Sequence, residues 1–294
     1  MLSTHIVSPK RPLSVEKNTY LKKKINPKIW SNIKELCETL HIPYAFDINS
    51  EYEECRFQHV RYKAGQYIHR NGQNFESFYL VNSGFLKTVH LDDLHNDQIL
   101  SFPMKGDMLG IDGMYSKRHA SDAIALTTCD LIVLPYRNFP VICKKYADFN
   151  SLLFTLMSRD LARKQSHLCL IGSASSEARV AQFLVRLGER YGELGYSPHT
   201  YELRMARHEI GSYLGLTLET VSRTLTMFHD LGLITVARRS ITINDHRALR
   251  VLRKLYPLGS KKHRELAAQP SLPDELVAPT TLYHTPALPE MMVN

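Results

Sequence analysis

The stretch Arg207-His208-Glu209-Ile210-Gly211-Ser212-Tyr213-Leu214-Gly215-Leu216-Thr217-Leu218-Glu219-Thr220-Val221-Ser222-Arg223-Thr224-Leu225-Thr226 decides how this chain is read. Ile210 and Leu214 stand four apart and give a short helix a buried side. Gly215 is placed to end that helix, because glycine enters a tight turn without a Cβ clash. Thr217 is placed to cap a second helix by accepting from an otherwise unpaired backbone N–H. Leu218, Val221, Leu225 and Phe228 repeat at spacings of 3, 4 and 3 and are expected to bury that helix. Glu219, Ser222, Arg223 and Thr226 share a different face, about 120° away around the wheel. Two short helices joined at a glycine, with a polar face exposed on the second, make a helix-turn-helix. Beyond Leu231-Gly232, residues 233–236 and 240–243 alternate as strands, and Ala237-Arg238-Arg239 between them makes a small wing.

The residue types on the polar face match the groove chemistry of double-stranded DNA. An arginine can bond guanine O6 and N7 together, a glutamate can accept from cytosine N4, and a serine can bond a neighbouring base. Glu219, Ser222 and Arg223 are therefore the expected base contacts. Thr217, Thr220, Thr226, Arg238 and Arg239 are the expected contacts to the DNA backbone, which position a protein without reading sequence. Each has an ordinary explanation alone: Glu219 in a first helical turn suits the helix dipole, and Ser222 and Arg223 suit any solvated surface. The frame that holds them together is what points to recognition.

Upstream, Phe154, Met157, Leu161, Lys164, Leu168 and Ile171 follow spacings of 3, 4, 3, 4 and 3. That is a heptad seam in a helix of about 24 residues, expected to pair with a second helix as a dimerisation element. Lys164 is the odd member: in a parallel pair its two copies face each other and oppose association. Gly172-Ser173 is expected to break the helix, and Val180, Phe183, Leu184, Leu187 and Tyr191 open another. From Phe57 to about Tyr136 the pattern is short strands punctuated by Gly and Asn, which predicts an all-β barrel or jelly roll. Ile29, Ile33, Leu36 and Leu40 predict a short helix before it, between Pro27 and Leu40.

The organisation expected is thus α+β. A basic flexible arm spans 1–28, with three prolines and seven Lys or Arg. A sensor domain spans 29–147, a dimerisation helix 148–172, a winged helix-turn-helix 173–258, and a disordered Pro-rich tail 259–294. Thirty-seven Lys and Arg against 29 Asp and Glu give +8, compatible with a polyanionic partner. No apolar run approaches the roughly 18 residues of a membrane span, and no secretory leader is visible. Five scattered cysteines make no disulfide framework, so a cytoplasmic protein is expected, with no membrane association.

Arg207 to Arg223 and the following Gly-Leu-Ile-Thr-Val resemble the Crp/Fnr family of bacterial transcription regulators. The E-x-x-S-R pattern of Glu219, Ser222 and Arg223 is similar to the recognition helix of the fumarate-and-nitrate-reduction subgroup. The resemblance runs from about Phe57 through Leu252. It implies a homodimer built on the long helix, a cyclic-nucleotide-binding-like barrel, a C-terminal winged helix-turn-helix, and a palindromic operator with TTGAT-like half-sites. It also implies transcription activation and contact with RNA polymerase.

The sensor motifs of that family are not kept. Relatives that bind cyclic AMP use Gly-Glu for the ribose and Arg-Ser or Arg-Thr for the phosphate; here Gly110 is followed by Ile111, and His119-Ala120 stands at the second place with Arg118 one position off. Relatives with an iron–sulfur cluster use three closely spaced N-terminal cysteines and one in the barrel. Here the N-terminal part offers Cys37 and Cys55, the barrel position corresponds to Ile132 with Cys129 nearby, and Cys143 and Cys169 read as buried small residues. No cofactor is expected, neither cyclic AMP nor a cluster, and the 14 histidines show no metal-ligand spacing. No catalytic motif is visible, so the chain is not expected to be an enzyme. Two other readings are a small-molecule-binding or redox-responsive barrel on which DNA binding depends, and a barrel enzyme in which His59, His69 and His90 converge on a metal. Neither explains an exposed Glu-Ser-Arg face.

Overall fold

The computed structural model describes residues 30–40, 56–91, 97–145 and 147–254. The expected arm at 1–28, Ile29, Cys55 and the expected tail at 259–294 lie outside them. The chain divides into two compact units, one of Met1–Thr88 with Phe102–Leu153 and the other of Val89–Ser101 with Phe154–Asn294.

In chain order the elements up to the long helix are β1 (Trp30–Ser31), α1 (Ile33–Leu40), β2 (Phe57–Tyr62), β3 (Tyr67–His69), β4 (Ser77–Ser83), β5 (Leu86–Leu91), β6 (Asp97–Ser101), β7 (Met108–Leu109), α2 (Gly113–Ser116), β8 (Asp122–Ala125), β9 (Cys129–Pro135) and α3 (Phe139–Lys145). They form one sheet of order β1-β2-β9-β4-β7 and another of order β3-β8-β5-β6. Non-consecutive neighbours of this kind are jelly-roll connectivity. The buried cluster between them takes Val81, Leu109, Cys129 and Leu131 from the first sheet and Ile68, Leu86, Ala123 and Ala125 from the second. Alternating residues point inward because strand side chains change face at every step.

The N-terminal helix begins later than the apolar spacing predicts. Asn32 Oδ1 accepts from Glu35 N at 2.9 Å, and Glu35 Oε2 accepts from Asn32 N at 3.3 Å. This reciprocal cap starts α1 at Ile33 and leaves Trp30–Ser31 to pair with β2 as a strand. A polar chain then pins β1 to the sheet: Ser31 Oγ lies 2.7 Å from His59 Nε2, His59 Nδ1 lies 2.7 Å from Asp130 Oδ2, and Asn82 Nδ2 donates to the same oxygen at 2.7 Å.

The rest of the chain forms α4 (Ala147–Ser173), α5 (Ser176–Glu193), β10 (Thr200–Glu202), α6 (Arg207–Leu214), α7 (Leu218–Asp230), β11 (Ile234–Ala237), β12 (Ser240–Ile243) and α8 (His246–Lys254). The long helix ends at the expected Gly172-Ser173 break: α4 stops at Ser173, and Ser175 caps α5 by accepting from Ala178 N at 3.2 Å. A three-stranded sheet of order β10-β12-β11 completes a winged helix-turn-helix. No helix among the described residues is long and apolar enough to cross a membrane.

Candidate nucleic-acid interface

Three features set the geometry of the helix pair α6–α7. Glu209 Oε2 accepts from Ala206 N at 2.6 Å and closes the start of α6. Gly215 ends it in the left-handed region, φ +64°. A Cβ on Gly211 would meet the Leu216 carbonyl oxygen at 2.7 Å, so the turn packs on bare backbone there. Thr217 then caps α7 as expected, its hydroxyl accepting from Thr220 N at 3.1 Å, with the Thr220 hydroxyl 3.1 Å from the same oxygen.

Val221, Thr224, Leu225 and Phe228 bury α7. Leu218, expected among them, is 43% exposed: it lies in the first turn, where the apolar stripe runs out into solvent. On the opposite face Glu219, Arg223 and Thr226 are exposed, and Ser222 is half-buried. Arg207, which the sequence reading did not single out, donates from Nη1 to Ser222 Oγ at 3.3 Å and places a second cation beside that face. At the wing, Ala237 pairs with Ser240, so Arg238 and Arg239 form the whole turn, and both are exposed. Arg238 takes φ +57°, a conformation that costs a non-glycine residue about 1–2 kcal/mol.

Behind the helix pair lies a residue that no motif announces. Arg179 on α5 donates from Nη1 to the Leu214 carbonyl at 3.1 Å, from Nε to the Ala174 carbonyl at 3.0 Å, and from Nη2 to the Ile171 carbonyl. One guanidinium thus satisfies carbonyls at the ends of α4 and α6, which have no partners within their own helices. His167 on α4 adds a ring stack on Tyr213, 4.0 Å between centroids, and its Nε2 donates to the Tyr213 carbonyl at 2.9 Å. Within the same unit Ser212 Oγ accepts from Ile99 N at 2.9 Å and donates to the Asp97 carbonyl at 3.0 Å, which ties β6 to α6.

Along α4 the outer heptad positions Phe154, Leu161 and Leu168 are 71%, 57% and 68% exposed. Met157 and Ile171 are half-buried. Lys164 lies 2.7 Å from Asp160, one turn back on its own helix, so its charge is partly matched at home.

The sensor positions are equally definite. Gly110 has φ +89° and is followed by a half-buried Ile111; Arg118 is turned to the Gly72 carbonyl at 2.8 Å; His119 is buried. Gly110, Ile111, Arg118 and His119 offer no acid for a ribose and no inward cation for a phosphate, and the next acid, Asp112, is engaged by Ala120 N and Ser121 Oγ, so this set does not fit cyclic AMP. The described cysteines do not fit an iron–sulfur cluster either. Cys129 donates to the Phe85 and Thr127 carbonyls, and burial pushes its thiol up. Cys143 on α3 is half-buried, and Ile132 is fully buried in β9. Cys169, expected to be buried, is exposed on α4, because Leu170 beside it takes the inward position. The side chains of Cys37 and Cys55 lie outside the described residues. Of the three histidines weighed for a metal, His59 is held by Ser31 and Asp130 and His90 is exposed; His69 has different neighbours, described below.

Fold and site together define a two-domain transcription regulator, with a cyclic-nucleotide-binding type of β domain and a winged helix-turn-helix. Residues 59–146 match the cyclic nucleotide-binding domain family, and residues 178–252 match the Crp-like helix-turn-helix domain family. The transcriptional regulatory protein btr of Bordetella pertussis is 36% identical over 195 residues, 66% of this chain and 81% of that protein. The fumarate and nitrate reduction regulatory protein of Escherichia coli K12 is 33% identical over 185 residues, 63% and 74% of the two chains. Among solved structures, FixK2 of Bradyrhizobium japonicum superposes with a TM-score of 0.62 at 25% identity, covering 68% of this chain and 99% of that one. The chain belongs to the Crp/Fnr family of transcription regulators, and its relatives are regulators, not enzymes.

Proposed function

We propose that the protein is a homodimeric regulator that reads a palindromic TTGAT–ATCAA operator through α7 and activates transcription in the cytoplasm by contacting RNA polymerase. The observation that carries this reading is the exposed Glu219–Arg223–Thr226 face on a helix buttressed from behind by Val221, Leu225 and Phe228. Glu219, Ser222 and Arg223 contact bases. Thr217, Thr220 and Thr226 meet phosphates along α7, whose N-terminus favours anions. Arg238 and Arg239 meet phosphates from the wing. The names of the relatives support the direction of control: two matching proteins from Pseudomonas are each called a transcriptional activator. No cofactor enters this reading, neither cyclic AMP nor a cluster.

The wing gives a test that separates binding from folding. Arg238→Gly relieves a positive φ, so its melting temperature should stay the same or rise. Its affinity for operator and for scrambled duplex should nevertheless fall together, with the slope of log K against log salt shallower by about 1 per wing. Anisotropy titrations at several salt concentrations read this directly. A loss confined to the operator would assign Arg238 to base reading instead.

Dimerisation rests on the exposed seam Phe154, Leu161 and Leu168, completed by Met157, Lys164 and Ile171. Two such helices bury these side chains against each other, and the Lys164–Asp160 pair lets each lysine lean outward from the seam. Lys164→Leu should tighten the dimer about tenfold, roughly 1.4 kcal/mol. An unchanged dissociation constant by analytical ultracentrifugation would place Lys164 outside the interface.

A further inference from the structure

We propose that the β domain carries a binding site for a divalent first-row transition metal, with His69 Nε2, His119 Nδ1 and Asp112 Oδ1 as ligands. These side chains come from three places in the chain: the end of β3, the residue before α2, and the loop that leads to β8. The ligand atoms of all three lie within 4.8 Å of one another.

The two imidazoles are 1% and 2% exposed and stack face to face, 3.7 Å between ring centroids. Among the described residues, His69 Nε2 and His119 Nδ1 have no hydrogen-bond partner. Buried polar atoms are rarely left so, and each that is calls for an ion or a water. The orientation of each group favours an ion. His69 Nδ1 lies 3.1 Å from the Ser121 carbonyl, which can only accept, so Nδ1 carries the hydrogen and Nε2 presents a lone pair. An imidazole that donates its other N–H to a backbone carbonyl has the usual outer arrangement of a metal-ligating histidine.

Asp112 is arranged in a complementary way. Its Oδ2 accepts from Ala120 N at 3.1 Å and from Ser121 Oγ at 2.7 Å, which leaves Oδ1 facing His119 Nδ1 at 3.7 Å. A cation between these atoms would neutralise the carboxylate and take the His69 Nε2 lone pair, with His119 ligating through Nδ1 in its Nε2–H tautomer. Bonds of ~2.0–2.2 Å would draw the three groups inward and splay the two stacked rings, because a cation cannot lie in both of their nearly parallel planes.

Two imidazoles and one carboxylate select zinc, iron, cobalt or nickel over calcium and magnesium, which prefer all-oxygen sets. Three protein ligands leave a position for water or a small molecule. The walls are apolar and close: Phe75 stands edge-on to His119 at 5.6 Å, and the Tyr79 ring lies 6.2 Å from His69. The Asp112 side chain, 23% exposed, is the way in. The site also gives the sensor domain a ligand class of its own, and it stands independently of the DNA-binding reading.

Cobalt(II) is the probe, because its visible ligand-field absorption reports nitrogen and oxygen ligation directly. Chelator-treated full-length protein titrated with CoCl2 should develop that absorption, saturate at one equivalent per chain, and lose it on adding ZnCl2. Asp112→Asn keeps an acceptor for Ala120 N and Ser121 Oγ but removes the charge, and it should weaken cobalt binding more than about 100-fold. Ser121→Ala removes an outer partner of the carboxylate and should weaken it about 10- to 100-fold. His119→Gln should abolish the spectrum. Circular dichroism of the metal-free variants checks folding, and the partly exposed Asp112 provides the variant least prone to unfold. A wild-type protein without a ligand-field spectrum, or one whose spectrum and stoichiometry survive both Asp112→Asn and His119→Gln, overturns the proposal.

Discussion

Arg223→Ala should weaken binding to the TTGAT–ATCAA palindrome by about 1–3 kcal/mol per half-site while leaving affinity for scrambled DNA nearly unchanged. The reason is geometric. Arg223 lies in the second turn of α7, exposed, on the face opposite Val221 and Phe228, where its guanidinium is open to a partner. A guanidinium there can bond one guanine bidentately, and the alternatives at that base pair forfeit both bonds. The variant should therefore also stop discriminating at that pair: a substituted operator that the wild type rejects should bind the variant as well as the original does. A variant that keeps wild-type affinity and discrimination would remove Arg223 from the recognition surface, and Glu219 and Ser222 would lose their frame with it.

Gly211→Ala should cost about 3 kcal/mol in the DNA-binding unit, by far the larger loss when compared with Gly215, the glycine of the turn itself. The new Cβ would stand 2.7 Å from the Leu216 carbonyl oxygen, and that oxygen belongs to the backbone that leads into the cap of α7. It has no flexible end to swing aside. At Gly215 a Cβ meets only Arg179 Nη1 at 3.5 Å and Ile171 Cγ2 at 3.6 Å, both ordinary contacts, so Gly215→Ala pays only for its left-handed φ, about 1 kcal/mol. Calorimetry of the full chain should show the C-terminal transition lowered by roughly 10–20 °C in Gly211→Ala and by clearly less in Gly215→Ala. The reverse order would mean that φ, not the close approach, fixes the turn.

That contrast shows what was legible in the sequence and what was not. Gly215 was readable because it sits where a short apolar period stops, a local signal. Gly211 was not, because its neighbour Leu216 approaches through the fold of the turn, and nothing in the spacing reports a distance. Thr217, Ile210 and Leu214 were readable on the same local grounds, as were the strands from Phe57 onward, whose alternation is fixed by which face meets the core. The two-residue strands β1 and β7 were missed because two residues carry no period.

The site divides along the same line. Glu219, Ser222, Arg223 and the wing arginines lie within about twenty residues of one another and share a helix face or a turn. Arg179 was invisible because its acceptors are backbone carbonyls, which every residue has, and one of them is 35 positions away. His69, Asp112 and His119 were invisible as a group because their separations in sequence carry no ligand spacing; the pairing of β3 with β8 and the bonds of Asp112 to Ala120 and Ser121 bring them together. Leu218 and Cys169 were misplaced for a related reason: periodicity gives a direction around a helix but not the length of neighbour that covers it.

The most direct test of the central claim is fluorescence anisotropy with the purified full-length protein at a stated salt concentration. Its probes are the TTGAT–ATCAA palindrome and a scrambled duplex of the same length and composition. Selective binding, at least about a thousandfold tighter on the palindrome, is the predicted result. Equal affinities for the two duplexes, from a protein shown to be dimeric under the same conditions, would contradict it.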